Sequence, residues 1–217
     1  MLFRSYHCPN SHPEYCRTNP NAYHFERGVR GQRFASQVVR WWDEMRKIGH
    51  VSGTIDQDCL DQASGREYYT CQRTPLTAGY QTATRDGKPI APLLGTLTRF
   101  DGGETFIGIG PYSYIFGYGD YILLFRIVPH TPESAEMELT WLVAADSDVL
   151  GNESALNKLK WLWHATTEQD VVLTDRNGVG VSSRFYKSGP YSDCEAALTR
   201  WTDWYVATLT AEINAPR

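Results

Sequence analysis

The order of the predicted elements is the feature that most constrains the fold of this chain. A helical segment, 32–47, is followed by strand-like segments that are separated by turn signals such as Asp86-Gly87 and Asp101-Gly102-Gly103. Hairpin-length spacing between them indicates antiparallel pairing. The strand-like segments are 67–73, 93–100, 104–109, 121–128 and 136–144. Long helical segments then end the chain, and an antiparallel sheet with helices on one side is typical of the α+β class.

Three helices are predicted from apolar residues that recur at helical spacing. They span 32–47, 153–176 and 193–213. In the middle helix the apolar stripe begins at Leu156 and continues through Trp163 to Asp170. An ionised aspartate on such a face needs a partner, because burying an uncompensated charge is very costly. Asp170 is therefore a candidate functional carboxylate, with a solvated acid at the helix end as the alternative; Glu168 and Asp175 lie on other faces and are predicted to be solvated.

Two histidines near the start of the chain, His7 and His12, are candidate metal ligands. On a straight helix their rings would lie about 140° apart, so they converge only if the helix is broken. Pro9 and Pro13 supply that break. Two imidazoles and one carboxylate hold Fe(II) on one side and leave the other side open for dioxygen and substrate. We therefore predict an iron site at His7, His12 and Asp170, with two ordinary loop histidines as the alternative.

Composition places the chain among ordinary globular proteins. Its 217 residues are 41% hydrophobic and 21% charged, which fits a single domain over 1–217. The net charge of -4 argues against nucleic acid as a partner. The longest apolar run, 121–128, is interrupted by Arg126 and is too short to cross a membrane. No secretory signal pattern is evident, so a cytoplasmic location is expected.

The cysteines do not form a recognisable disulfide framework. There are five, an odd number, at positions 8, 16, 59, 71 and 194, which favours a reducing compartment. His7, Cys8, His12 and Cys16 supply the two nitrogens and two sulfurs that a zinc site accepts. That alternative is disfavoured, because the adjacent side chains of His7 and Cys8 point in different directions.

Three segments of the chain carry a recognisable pattern. The first is Tyr6-His7-Cys8-Pro9 with His12-Pro13, the second covers 69–76 and 86–95, and the third covers 162–170, 180–184 and 189–192. Together they resemble the catalytic C-terminal domain of the Rieske-type aromatic-ring-hydroxylating oxygenase large (alpha) subunit. The second and third are most similar to the glycine betaine and carnitine oxygenase subgroup. The resemblance implies that His7 and His12 are the first two iron ligands and that Asp170 is the carboxylate ligand.

The resemblance also implies a fold, an activity and partners. The fold would be a helix-grip (START/Bet v 1-like) fold, in which the sheet wraps around the long helix that bears Asp170. The activity would be insertion of dioxygen-derived oxygen into a C–H bond of a small-molecule substrate, by ring hydroxylation or N-demethylation. A Rieske protein and a reductase would donate electrons, and the chain would assemble as a homotrimer.

Two departures from the family pattern bear on that expectation. The chain lacks the Cys-x-His and Cys-x-x-His pair that holds a [2Fe-2S] cluster, so the cluster is expected on a partner or a missing domain. Arg4 stands where the family has an acid thought to bridge a neighbouring subunit's cluster to the iron. We expect either an N-terminally truncated chain or a stand-alone domain that receives its electrons from a partner chain. The alternatives to an oxygenase are an inactive fragment, or a ligand-binding or assembly module of the same fold.

Four aromatic residues alternate along the segment 112–118: Tyr112, Tyr114, Phe116 and Tyr118. Aromatic faces around a quaternary ammonium would form a binding cage. Alternation puts all four on a single strand face, so they fit sheet packing equally well.

Overall fold

A computed structural model describes residues 8–20, 29–55, 69–110, 112–191 and 196–215. Its helices are α1 (Cys8–Ser11), α2 (Pro13–Thr18), α3 (Val29–Lys47), α4 (Glu153–Val181) and α5 (Ala196–Asn214). Its strands are β1 (Thr54–Ile55), β2 (Tyr69–Pro75), β3 (Gly103–Ile109), β4 (Ser113–Gly117), β5 (Tyr121–Thr131) and β6 (Ser134–Val143). A short 3-10 turn, Val149–Gly151, leads into α4.

The six strands form one sheet in chain order, and every neighbouring pair is antiparallel. β5 and β6 form the longest ladder, from Tyr121 opposite Val143 to Thr131 opposite Ser134. The predicted α+β class with an antiparallel sheet is therefore confirmed.

One face of the sheet packs against the first half of α4. Alternation along β5 buries Tyr121, Leu123 and Phe125, each at most 1% exposed, because side chains two apart share a face. From α4, Trp163 is fully buried and its ring centroid lies 4.2 Å from that of Phe116 in β4. This sheet against a long helix is the helix-grip arrangement that the resemblance implies. Beyond Asp170, α4 is largely exposed.

The segment 93–100 is not a strand, so that prediction is wrong. Gly95 has φ of +59°, which turns the chain away from an extended path. Leu94 N–H donates to the carbonyl of Gly119 at 2.9 Å. Phe100 and Leu93 lie against the Cα of Gly119, where a Cβ would meet them at 2.7 and 3.5 Å. The apolar residues that imitated a strand thus pack as a loop across the β4–β5 turn.

Several element bounds also differ from the prediction. α3 begins at Val29 rather than 32, and α4 continues to Val181 rather than 176. Gly178 and Gly180 lie inside α4, so these poor helix formers do not end it. The start of the last predicted helix, at 193, lies outside the described residues.

The aromatic residues along β4 pack within the sheet. Phe116 and Tyr118 are 1% and 4% exposed. The ring centroid of Tyr114 lies 5.9 Å from that of Phe125, and the hydroxyl of Tyr118 donates to Glu104 Oε2 at 2.7 Å. These contacts favour sheet packing over a ligand cage.

Of the described helices, none has the length and apolar character needed to cross a membrane.

A buried ionic cluster ties the end of α3 to the sheet. Asp101 Oδ2 lies 2.6 Å from Arg73 Nη2 and 2.8 Å from His50 Nδ1, and Oδ1 accepts from the backbone N–H of Gly103 at 2.9 Å. Burial alone would raise the pKa of Asp101, but the charge of Arg73 and the hydrogen bonds outweigh it and hold the pKa below 3.8. The carboxylate is therefore ionised and paired at neutral pH.

Replacing Asp101 with asparagine is expected to lower the free energy of unfolding by roughly 3 kcal/mol at pH 7, because it leaves Arg73 without its buried counter-charge. The lowered pKa of Asp101 in the fold means that its stabilisation is complete above its unfolded pKa, about 3.8, and is lost as the pH falls further. Urea unfolding from pH 7 to pH 3 would measure this.

The matched control is Asp43→Asn, which breaks the exposed Asp43–Arg46 ion pair at 2.6 Å on α3. That change is expected to cost about 0.5 kcal/mol or less. Equal losses in the two variants would contradict the role assigned to Asp101, as would a loss that stays constant down to pH 3.

Candidate metal centre

His12 lies at the break between α1 and α2. It is the N-cap residue of α2, with Pro13 at the first helical position, where proline's missing N–H costs nothing. Backbone hydrogen bonds continue on both sides of the break: His12 N–H donates to the Cys8 carbonyl at 3.0 Å, and Cys16 N–H donates to the His12 carbonyl at 2.9 Å. The imidazole is only 2% exposed. A proline-broken pair of short helices thus turns this histidine into the protein interior.

Asp170 meets His12 from a distant part of the sequence. Its side chain lies on the buried face of α4 and is 1% exposed, and Oδ1 lies 2.9 Å from His12 Nε2. The solvated-acid alternative therefore does not describe Asp170. Glu168, two residues earlier, has a side chain that is 78% exposed, and Asp175 is also exposed.

Small hydroxyl residues line the α4 turn between the aromatic core and Asp170. Thr166 Oγ1 donates to the Leu162 carbonyl at 2.8 Å, and Thr167 Oγ1 donates to the Trp163 carbonyl at 2.7 Å. Both threonines thereby satisfy their hydroxyls within the helix. The buried face changes here from bulky apolar side chains to a narrow polar surface that ends at Asp170.

The second imidazole nitrogen of His12 is held by a residue that sequence reasoning missed. His12 Nδ1 lies 2.8 Å from Gln169 Oε1, and Gln169 Nε2 donates to Glu14 Oε2 at 2.9 Å. Gln169 precedes the predicted carboxylate and Glu14 follows Pro13, but neither lies on a distinctive pattern. Only the packing of α2 against α4 brings these polar side chains together.

The environment of His12 favours its charged form. Burial alone would lower the pKa of the imidazole, but hydrogen bonds to Asp170 and Gln169 outweigh burial and raise the pKa above 6.5. A proton on Nε2 then lies between the same two atoms, His12 Nε2 and Asp170 Oδ1, that a divalent cation would join. The positively charged imidazole also supplies the partner that a buried Asp170 requires.

These two donor atoms fit an iron site, since one imidazole nitrogen and one carboxylate oxygen are ligands that Fe(II) accepts. The third predicted ligand, His7, lies outside the described residues. Within the described part of the chain, no three histidine, cysteine or acidic side chains group as a metal site. The described geometry thus brings together His12 and Asp170 of the three predicted ligands.

The two cysteines beside His12 do not favour the zinc alternative. Cys8 and Cys16 are buried free thiols, and Cys16 Sγ donates to the Cys8 carbonyl at 3.3 Å. Burial, reinforced by the nearby Cys16 and Asp170, raises the pKa of Cys8 to about 12. Within the described residues, Cys8, His12 and Cys16 do not group as a metal site. Cys71 is also a free thiol.

Comparison with known proteins identifies the relatives of this chain. The model of the family described as ring hydroxylating alpha subunit (catalytic domain) matches residues 4–211. The glycine betaine monooxygenase oxygenase subunit of Chromohalobacter salexigens is 29% identical over 220 residues, covering 97% of this chain and 46% of that protein. The subunit of the same name from Pseudomonas aeruginosa is 29% identical over 206 residues, covering 92% of this chain and 45% of that protein.

The chain thus spans about half the length of the curated relatives that it matches. The family match covers nearly all of this chain, and both relatives are named as oxygenase subunits. The resemblance seen in the three sequence segments is confirmed: the chain belongs to the ring hydroxylating alpha subunit family and corresponds to its catalytic domain.

Proposed function

We propose that residues 1–217 form the catalytic domain of a mononuclear non-haem Fe(II) oxygenase, with His7, His12 and Asp170 as the iron ligands. The observation that carries this proposal is the 2.9 Å approach of His12 Nε2 to Asp170 Oδ1 in the protein interior. A buried imidazole paired with a buried carboxylate from a distant part of the sequence supports a cation-binding site.

The residues around the pair would shape the chemistry. Bound Fe(II) would supply the activation of dioxygen, with electrons from a Rieske protein and a reductase. His12 and Asp170 would hold the metal through Nε2 and Oδ1, and His7 would complete the ligand set. Tyr15 of α2 and Trp163 of α4 are buried and pack together, with ring centroids 5.8 Å apart. This apolar cover would limit access of bulk water to the site.

The substrate proposed is a small N-methylated amine, because the relatives are named for glycine betaine. Hydroxylation of an N-methyl carbon would give an N-hydroxymethyl product, which collapses to the demethylated amine and formaldehyde. The [2Fe-2S] cluster that feeds electrons would lie on a partner chain or in a further domain of a longer protein. The active form would be a cytoplasmic homotrimer.

Anaerobic titration of the purified protein with Fe(II) tests the metal site. We expect saturation at one Fe(II) per chain, with protons released as the metal displaces those bound to its ligands. Equilibrium dialysis would give the stoichiometry, and a weakly buffered solution with a pH indicator would give the proton count. A protein that takes up no Fe(II) would instead be a ligand-binding or assembly module of the same fold.

A further inference from the structure

We propose that Gln169 is a positioning residue that selects the tautomer of His12, and that Glu14 sets the orientation of Gln169 for that purpose. The inference rests on the proposed iron site and adds two residues to it. Neither would touch the metal: they would act by keeping a proton on Nδ1 of the imidazole and leaving Nε2 available as a ligand.

The charge of Glu14 fixes which group donates and which accepts in the hydrogen-bond chain Glu14–Gln169–His12. An ionised carboxylate accepts hydrogen bonds and cannot donate them, so the amide group of Gln169 must turn its nitrogen towards Glu14 Oε2, 2.9 Å away. The amide oxygen then faces His12 Nδ1 at 2.8 Å. An amide oxygen can only accept, and so Nδ1 must carry a proton. This reasoning places a proton on Nδ1 whether the ring is neutral or charged, a point that heavy-atom positions alone leave open.

Glu14 is suited to be the fixed end of the chain. Its Oε2 accepts from Gln169 Nε2 at 2.9 Å, and the side chain is only partly buried, so the carboxyl group is ionised at neutral pH as glutamate ordinarily is. Its backbone is held as well, because Thr18 Oγ1 donates to the Glu14 carbonyl at 2.6 Å. Glu14, held on α2, thus orients the side chain of Gln169 on α4. Gln169 in turn orients the imidazole ring of His12, just before α2.

The consequence concerns metal affinity. A neutral imidazole that carries its proton on Nε2 cannot bind a metal through that atom, so any population of that tautomer reduces the apparent affinity. Removing a partner that orients a metal-binding histidine typically costs 10-fold to 100-fold in affinity. We expect a loss in that range for Gln169→Leu, which keeps a similar side-chain volume but offers no acceptor.

Zn(II) is a suitable probe, because it accepts the same imidazole and carboxylate donors and permits NMR. Its affinity would be measured by chelator competition for wild type, Gln169→Leu and the control Glu168→Gln, a neighbour whose side chain is exposed. The ¹⁵N shifts of the His12 ring would report which nitrogen is protonated in the Zn(II)-bound protein. Urea unfolding of each metal-free variant would separate metal affinity from stability.

A charge swap keeps the test independent of folding losses. Gln169→Glu alone places a second carboxylate next to that of Glu14. The two repel each other, so this variant should bind Zn(II) more weakly. Adding Glu14→Gln restores a donor at position 14 and an acceptor at position 169, so the double variant should bind within about threefold of wild type.

The outcomes distinguish this inference from the proposed function. Wild type that binds no Zn(II) or Fe(II) would overturn both. Wild-type binding that Gln169→Leu leaves unchanged, with Nδ1 still protonated, would overturn the inference alone. A double variant no better than Gln169→Glu would also overturn it, since the hydrogen-bond chain would then not explain the loss.

Discussion

Replacing Asp170 with alanine is expected to abolish stoichiometric Fe(II) binding, with a loss of affinity of at least about 100-fold, or roughly 3 kcal/mol. The variant lacks Oδ1, the oxygen that lies 2.9 Å from His12 Nε2, and with it the negative charge that would balance the metal in an interior site. His12→Ala is expected to give a loss of the same order, because it removes the nitrogen donor. Anaerobic equilibrium dialysis would measure both, with His7→Ala testing the third proposed ligand.

The control for these variants is Glu168→Ala, which removes an acid from an exposed position on α4 two residues before Asp170. Its Fe(II) affinity is expected to match wild type within about twofold, since surface charges act weakly at a distance in salt. A second variant, Asp170→Asn, keeps the size of the side chain and removes its charge. Iron binding unaffected by Asp170→Ala would refute the ligand assignment.

Replacing Trp163 with alanine is expected to lower the free energy of unfolding by about 3–5 kcal/mol, the usual cost of removing a large aromatic side chain from a core. Trp163 is fully buried, and its ring packs between Phe116 of β4 at 4.2 Å and Tyr15 of α2 at 5.8 Å. It therefore joins the sheet, α4 and the segment that carries His12. Urea unfolding followed by circular dichroism would measure the loss.

Trp161 offers the matched comparison on the same helix. It is only partly buried, and its ring lies under the guanidinium groups of Arg17 and Arg85 at 5.4 and 5.1 Å. Such contacts near the surface contribute about 0.5–1 kcal/mol, so Trp161→Ala should cost far less than Trp163→Ala. Losses of similar size in the two variants would contradict the assignment of Trp163 as the residue that joins the sheet to α4.

Local patterns explain why most of the fold could be predicted. The alternation in β5 and the helical stripe in α4 each depend on neighbours within a few residues, so both can be read along the chain. The same stripe identified Asp170 as a buried acid. The segment 93–100 misled because its apolar residues pack across the β4–β5 turn, and local sequence does not distinguish that contact from a ladder.

The polar contacts were less accessible to sequence reasoning, because they join residues far apart in the chain. Gln169 meets Glu14 and His12 only through the packing of α2 on α4. Asp101 likewise gathers Arg73 from β2 and His50 from beyond α3. In each case the sequence contains several residues of the same type, and only the folded structure shows which of them makes the contact.

Peroxide-driven turnover tests the proposal that an iron site at His7, His12 and Asp170 inserts oxygen into a substrate C–H bond. Hydrogen peroxide carries oxygen already reduced by two electrons, so it replaces both dioxygen and the electron donor: one N-methyl group and one peroxide give one N-hydroxymethyl group and one water. With Fe(II)-loaded protein and glycine betaine, we expect formaldehyde and dimethylglycine in equal amounts, and neither product above background from Asp170→Ala. If iron-loaded wild type yields no more of either product than Asp170→Ala does, the proposed oxygenase function is contradicted.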